Sequence, residues 1–256
     1  MTTTNQGRFV WHTLNTTDLT ASRKFYTSLF GWTATEMDMG PGGKYTMFRA
    51  GDKDVAGAAG VDSKGPAASH WLPYPTVDSV DGAADRIPAL GGTIVVPPTD
   101  IPHVGRFCIA LDPQGALVAP FKGAAGAPQR DDSPPTLGSF CWNELLTTDT
   151  VAATKFYEKV FGWTSKTMPM GPGATYTMFE RGDKDAAGLK ALDAGAGHGP
   201  QWLPYVLVKD VDATTAKARS LGAKVTMEPQ DWGPGRASVL VDPTGARFAL
   251  WVLKAA

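Results

Sequence analysis

Phe9 to Asn15 begins with the apolar run Phe-Val-Trp and continues His-Thr-Leu-Asn, a short strand-like stretch. Asp18 then stands as an N-cap, and Ala21, Phe25 and Leu29 recur every four residues, which predicts an amphipathic helix closed by Gly31. Short strands follow over Trp32 to Asp38, Tyr45 to Arg49 and Val55 to Val61, punctuated by Gly40-Pro41-Gly42-Gly43 and Gly51-Asp52. The order then restarts. A strand over Trp71 to Val77 precedes a helix with Val80, Ala84, Ile87 and Leu90 on one face. Strands over Thr93 to Val96, Arg106 to Leu111 and Leu117 to Lys122 complete this module. Pro88 lies inside the second helix and is expected to shorten or kink it, a defect that Arg219 avoids in the second half.

The whole pattern is then written again. Phe9 to Gly57 aligns without gaps to Phe140 to Gly188 at an offset of 131, with about 29 of 49 positions identical. Landmarks include Thr16-Thr17-Asp18 against Thr147-Thr148-Asp149, Lys24-Phe25-Tyr26 against Lys155-Phe156-Tyr157, and Phe30-Gly31-Trp32 against Phe161-Gly162-Trp163. Trp71-Leu72-Pro73-Tyr74 still matches Trp202-Leu203-Pro204-Tyr205, and one residue is lost before Asp112-Pro113 meets Asp242-Pro243. The chain therefore reads as α+β, with four βαβββ modules in two fused domains, residues 1–122 and 137–256. Residues 123–136 between them are rich in Gly, Pro, Asp and Ser and read as a linker.

Charge excludes one class of partner. Lys plus Arg is 24 against 25 for Asp plus Glu, a net charge of −1, so the basic footprint of a nucleic-acid binder is missing. No apolar run reaches the roughly 18 residues of a membrane span, and no signal-type segment opens the chain, which points to a cytoplasmic protein. Cys108 and Cys141 sit in strand-like runs without a CxxC spacing and read as buried free thiols. The Gly-Pro-Gly segments lie between strands and lack a following Gly-Lys-Ser/Thr, so they read as hairpin turns, not phosphate cradles. No Ser-His-Asp or Cys-His constellation can be assembled.

The Thr-Thr-Asp, Lys-Phe-Tyr and Phe-Gly-Trp motifs resemble the vicinal oxygen chelate superfamily. So do the Leu-Gly that ends each second helix and the Asp-Pro-x-Gly-Ala before each last strand. That group holds glyoxalase I, extradiol dioxygenases, fosfomycin-modifying enzymes and bleomycin-resistance proteins. The resemblance implies two glyoxalase-like half-barrel domains, each curled around a ligand cavity, on which function varies widely. It also implies where a metal would be held: at Trp11 or Trp142 on the first strand, Leu72 or Leu203 on the fifth, and Ala119 or Ala249 on the eighth. Indole, isobutyl and methyl groups offer no lone pair suited to Fe²⁺, Ni²⁺ or Zn²⁺, so no metal ligand and no cofactor is expected.

Strand parity names what faces the cavities instead. Trp11, Thr13, Tyr74 and Phe121 in the first domain, and Trp142, Gln201, Tyr205, Arg247 and Trp251 in the second, are the candidate ligand-binding residues. Glu144 is a candidate catalytic base beside Trp142, or a structural partner of Arg247, and His70 is a second candidate base or donor. His12 has the opposite parity and reads as structural, while His103 and Asp231-Trp232 lie in the loop before the seventh strand of their domains. The expected function is metal-free binding of a small organic, aromatic or antibiotic-like molecule, for sequestration or a simple acid–base transformation. Two alternatives stand beside it. One is a glyoxalase-, lyase- or oxygenase-like enzyme using a divalent metal such as Fe²⁺, Ni²⁺ or Zn²⁺ on shifted ligands such as Glu144 and Gln201; the other is a noncatalytic interaction protein.

Overall fold

The computed structural model describes residues 6–39, 43–61, 68–126, 133–171, 174–193 and 195–253. Four βαβββ modules follow one another. The first holds β1 (Phe9–Thr16), α1 (Leu19–Phe30), β2 (Thr33–Asp38), β3 (Lys44–Ala50) and β4 (Lys53–Gly60). The second holds β5 (His70–Pro75), α2 (Val80–Ala89), β6 (Thr93–Ile101), β7 (Gly105–Leu111), β8 (Leu117–Val118) and β9 (Phe121–Gly123). The third holds β10 (Phe140–Thr147), α3 (Thr150–Phe161), β11 (Thr164–Pro169), β12 (Thr175–Arg181) and β13 (Lys184–Ala191). The fourth holds β14 (Gln201–Leu207), α4 (Val211–Ser220), β15 (Lys224–Trp232), β16 (Gly235–Val241) and β17 (Arg247–Leu253).

The helix boundaries are where local chemistry sets them. Asp18 accepts a hydrogen bond from the Ala21 N–H, Asp149 accepts from Val151 and Ala152, and Gly31 and Gly162 close α1 and α3 at φ 71° and 69°. Pro88 does not shorten its helix: α2 and α4 have 10 residues each. It stands in the last turn, where the missing N–H removes a single bond and its own carbonyl still accepts from Gly91. The last strand of the second module departs from expectation in another way. It is split into β8 and β9 around Ala119-Pro120, whereas β17 runs unbroken with Leu250 in the place of Pro120, because proline cannot donate to the ladder. The expected glycine hairpins are flanked by strands paired as a hairpin requires, Asp38 with Lys44 and Pro169 with Thr175. Residues 40–42 and 172–173 themselves, and 127–132 of the linker, lie outside the described residues.

The chain divides into two compact units, each taking one module from either half of the repeat. The first comprises residues 1–10, 73–132 and 143–202, the second residues 11–72, 133–142 and 203–256. In the first unit, strands run β6-β7-β8, with β9 also on β7, and β11-β12-β13-β10. Helices α2 and α3 meet over a core that includes Ile87, Cys108, Phe156, Tyr157 and Trp202. In the second unit strands run β2-β3-β4-β1-β5, the last contributing its first half, and β14-β17-β16-β15. There α1 and α4 meet over Phe25, Tyr26, Phe48, Trp71 and Phe248.

Each core holds one polar relay. In the second unit Trp71 Nε1 donates to the Tyr26 hydroxyl at 3.0 Å, which donates to Asp242 at 3.0 Å. In the first, Trp202, Tyr157 and Asp112 repeat the relay with the same 3.0 Å separations. Both aspartates also accept backbone N–H groups of the turn they sit in, so a buried carboxylate is satisfied on every side. Cys108 and Cys141 are free, and burial pushes both thiols up to about 12, which leaves them unreactive. Among the described residues no helix is long and apolar enough to cross a membrane.

Candidate ligand-binding site

Each sheet has one face covered by its helix and one turned away from it, and strand parity sorts the candidates between the two. On β1, Leu14 packs in the helix-covered core and Thr16 bonds Ser22 of α1 at 2.7 Å. His12 shares that parity and stacks on Phe140 with ring centroids 4.1 Å apart, in keeping with a structural role. Trp11, Thr13 and Asn15 point the other way.

On that opposite face of the second unit, the Trp11 indole donates to the Tyr45 hydroxyl at 2.8 Å, and Thr13 Oγ1 lies 3.1 Å from the same oxygen. Asn15 Nδ2 lies 3.2 Å from His70 Nε2, and His70 Nδ1 lies 2.8 Å from the Ala68 carbonyl. A carbonyl can only accept, so Nδ1 carries the proton and Nε2 accepts from Asn15. Burial lowers the His70 pKa below its ordinary value. His70 is therefore a neutral ring whose one lone pair is already engaged. A histidine harder to protonate folded than unfolded makes the unfolded state bind more protons below its unfolded pKa of about 6.5. Its stabilising contribution is complete above that pH and is lost as the pH falls toward the depressed folded value. Melting temperature against pH should accordingly fall below about 6.5 in the wild type, and His70→Gln should flatten the slope; an unchanged slope refutes the assignment.

Tyr45 was not among the sequence candidates. The signal was present: Tyr45 and Tyr176 stand at equivalent places in the two copies, and strand parity sets Tyr45 and Met47 against the helix-facing Thr46 and Phe48. What parity could not show is that Gly57, paired with Thr13 and Met47, leaves the space in which the phenol lies.

In the first unit Glu144 is buried, and its carboxylate has Lys190 Nζ at 3.8 Å. The register explains the neighbour: Glu144 pairs with Gly188, Leu146 with Lys190, and Tyr176 with Lys190 across the next strand. Lys190, not singled out from the sequence, is thus the cation found here, while Arg247, the expected partner, donates from Nη2 to Thr226 at 3.1 Å in the second unit. Burial lowers the Arg247 pKa, and its Nε is buried with no hydrogen-bond partner among the described residues. Gln201 Nε2 lies 2.6 Å from His198 Nδ1. Tyr74 meets Phe107 and Phe121 at ring distances of 6.2 and 6.3 Å, and Tyr205 meets Trp251 edge-on at 6.3 Å. Trp142 is half-buried on β10.

At the places where the resemblance puts metal ligands, Leu72, Leu203, Ala119 and Ala249 are buried apolar groups, and the Trp11 N–H is spent on Tyr45. These six positions do not fit a cation, since an indole N–H only donates and alkyl groups carry no donor atom. Among the described residues no group of three or more His, Cys, Asp or Glu could hold one elsewhere.

Two tandem α+β domains of four βαβββ modules define a glyoxalase-type fold. The chain belongs to the Glyoxalase/Bleomycin resistance protein/Dioxygenase superfamily, the vicinal oxygen chelate group: that family's model matches residues 8–119, and a Glyoxalase-like domain model matches 140–251. It is 37% identical over 251 residues to a putative glyoxylase, CFP32, of Mycobacterium tuberculosis, covering 96% of this chain and 94% of that one. It is 34% identical over 270 residues to the anthracycline biosynthesis protein DnrV of Streptomyces peucetius, covering 99% and 96%. Among solved structures, the Mn(II)-bound glyoxalase of Novosphingobium aromaticivorans aligns at a TM-score of 0.66 and 17% identity, over 96% of this chain and 82% of that one. The 2,3-dioxygenase LapB of Pseudomonas sp. KL28 aligns at 0.64 and 15%, over 95% and 91%. At these identities the two structures speak for the fold alone.

Proposed function

We propose that this protein binds a small, flat, aromatic or antibiotic-like organic molecule without a metal, in the cytoplasm. Each half, 1–122 and 137–256, carries its own site, and the outcome is sequestration or a simple acid–base step. The observation that carries this reading is the donor set: Trp, Leu and Ala occupy all six positions where the resemblance puts cation ligands. Aromatic side chains remain on the same strands, Trp11, Tyr74 and Phe121 in one half and Trp142, Tyr205 and Trp251 in the other, a lining suited to a planar ligand. The kinship with a protein named for anthracycline biosynthesis is consistent with an antibiotic-like ligand. Lys190 counts against the shifted-ligand alternative, because an ammonium 3.8 Å from Glu144 competes for the carboxylate that a divalent ion would need.

A thermal-shift screen of planar aromatic compounds, with and without Fe²⁺, Ni²⁺ or Zn²⁺, tests the proposal. A ligand at a hundred times its Kd stabilises the folded state by about 2.7 kcal/mol, so binding should raise Tm without added metal. A stoichiometric cation retained by protein purified without chelators, or ligand binding only when metal is added, overturns it. Glu144→Gln separates the two outcomes: turnover collapses if Glu144 moves a proton, and affinity changes only a few-fold if the protein sequesters.

A further inference from the structure

Proton counting on the uncovered face of β1, β3 and β4 leaves one donor over. The groups involved are the Trp11 indole, the Thr13 hydroxyl and the Tyr45 hydroxyl, which together carry three polar hydrogens. The indole N–H can only donate, and it donates to Tyr45. One further hydrogen lies in the Thr13–Tyr45 contact, whichever oxygen supplies it. The third has no acceptor among the described residues, because neither Thr13 nor Tyr45 has another side-chain partner there. Thr13 is 4% exposed while Tyr45 is half-buried, and with Thr13 donating, the spare proton is held by Tyr45. Two donors into one phenol oxygen polarise its O–H and strengthen it toward an outside acceptor. Burial raises the Tyr45 pKa, which keeps the hydroxyl protonated.

The same face is electrically neutral around that proton. His70 is the uncharged tautomer, with Asn15 beside it, and Thr35, Met37, Met47, Gly57 and Ala59 carry no charge. Arg49, at the exposed end of β3, is held by Asp54 at 3.0 Å. A carboxylate ligand would find no countercharge here and would lose its hydration, whereas a ketone or quinone oxygen needs only the hydrogen bond. The second copy is built differently, with Glu144 where Thr13 stands and Lys190 where Ala59 stands.

We propose that the Tyr45 hydroxyl donates a hydrogen bond to an uncharged carbonyl or quinone oxygen of the ligand, and so selects neutral acceptors in the first half of the chain. This rests on the reading that the protein binds a planar organic molecule. The test uses the full chain labelled with fluorotryptophan, in which Trp11→Phe identifies the Trp11 fluorine resonance as a reporter adjacent to Tyr45. Quinizarin, an uncharged dihydroxyanthraquinone, should shift that line and bind at least about tenfold more tightly there than anthraquinone carboxylate. Tyr45→Phe should weaken quinizarin about tenfold with circular dichroism retained, at a Tm lowered by the loss of the Trp11 and Thr13 hydrogen bonds. Equal affinity of wild type for the two probes, a comparison that needs no variant, overturns the proposal. So does an unaltered quinizarin affinity in Tyr45→Phe, and in both cases the planar-ligand reading stands. If neither probe moves the line or Tm in any protein, that reading fails and this inference falls with it.

Discussion

Asp242→Ala is expected to lower the unfolding free energy by about 3 to 5 kcal/mol. The carboxylate is 4% exposed and accepts four hydrogen bonds: the N–H groups of Thr244 and Ala246, the Thr244 hydroxyl and the Tyr26 hydroxyl. Removing it strands those donors in the core, and a buried unsatisfied donor costs about 1 to 3 kcal/mol. The relay does not end there. Trp71 donates to the same Tyr26 oxygen, and Thr244 continues through Ser22 to Thr16, so α1, the turn before β17 and the start of β5 share one network. Tyr26→Phe, which deletes a single hydroxyl but leaves Trp71 and Asp242 each short of a partner, should cost about 2 kcal/mol. Urea unfolding of the three proteins reads this directly, and a loss below about 1 kcal/mol for Asp242→Ala would sink the claim that the relay joins the first and fourth modules.

Gly57→Ala should be the most damaging one-carbon change at the candidate site, at about 2 to 3 kcal/mol. A Cβ built on Gly57 collides with the hydroxyl end of Tyr45, so the phenol must swing away and give up both Trp11 and Thr13. The backbone of β4 cannot move to relieve it, being paired on one side with β1 and on the other with β3. The obstruction is a side chain, so the effect should vanish with that side chain: in a Tyr45→Ala background the same glycine substitution should cost less than about 0.5 kcal/mol. A double-mutant cycle measured by urea unfolding gives the coupling. Equal costs in the two backgrounds would place the penalty in the strand and not in the tyrosine.

Much of the fold was legible without coordinates, for local reasons. Asp18, Asp149, Gly31 and Gly162 mark helix ends because capping is decided within one turn of chain. Parity placed Thr13 and His70 on the face opposite Leu14 and Trp71 because successive strand residues point to opposite sides whatever the tertiary setting. Asp231 and Trp232, read as loop, instead end β15, paired with Arg236 and Gly235. Two other departures have local causes that simple rules misweighed. Pro88 stands too near a helix end to shorten it, and Pro120 removes an N–H in the middle of what periodicity read as one strand.

The site was less legible. Tyr45 lies 34 residues from the Trp11 indole it accepts from, and Lys190 reaches Glu144 through a pairing of β13 with β10 that no window of sequence reveals. The repeat likewise hid how the modules combine. Two consecutive modules form each sequence repeat, yet the compact units join the first with the fourth and the second with the third. Tyr26 and Asp242 are 216 residues apart. Periodicity and self-similarity determined the number, order and facing of the elements, since those follow from residues a few positions apart. Register, the glycine that makes room for the phenol and the partner that satisfies each buried charge were decided only in three dimensions, where residues distant in the chain compete for the same space and the same protons.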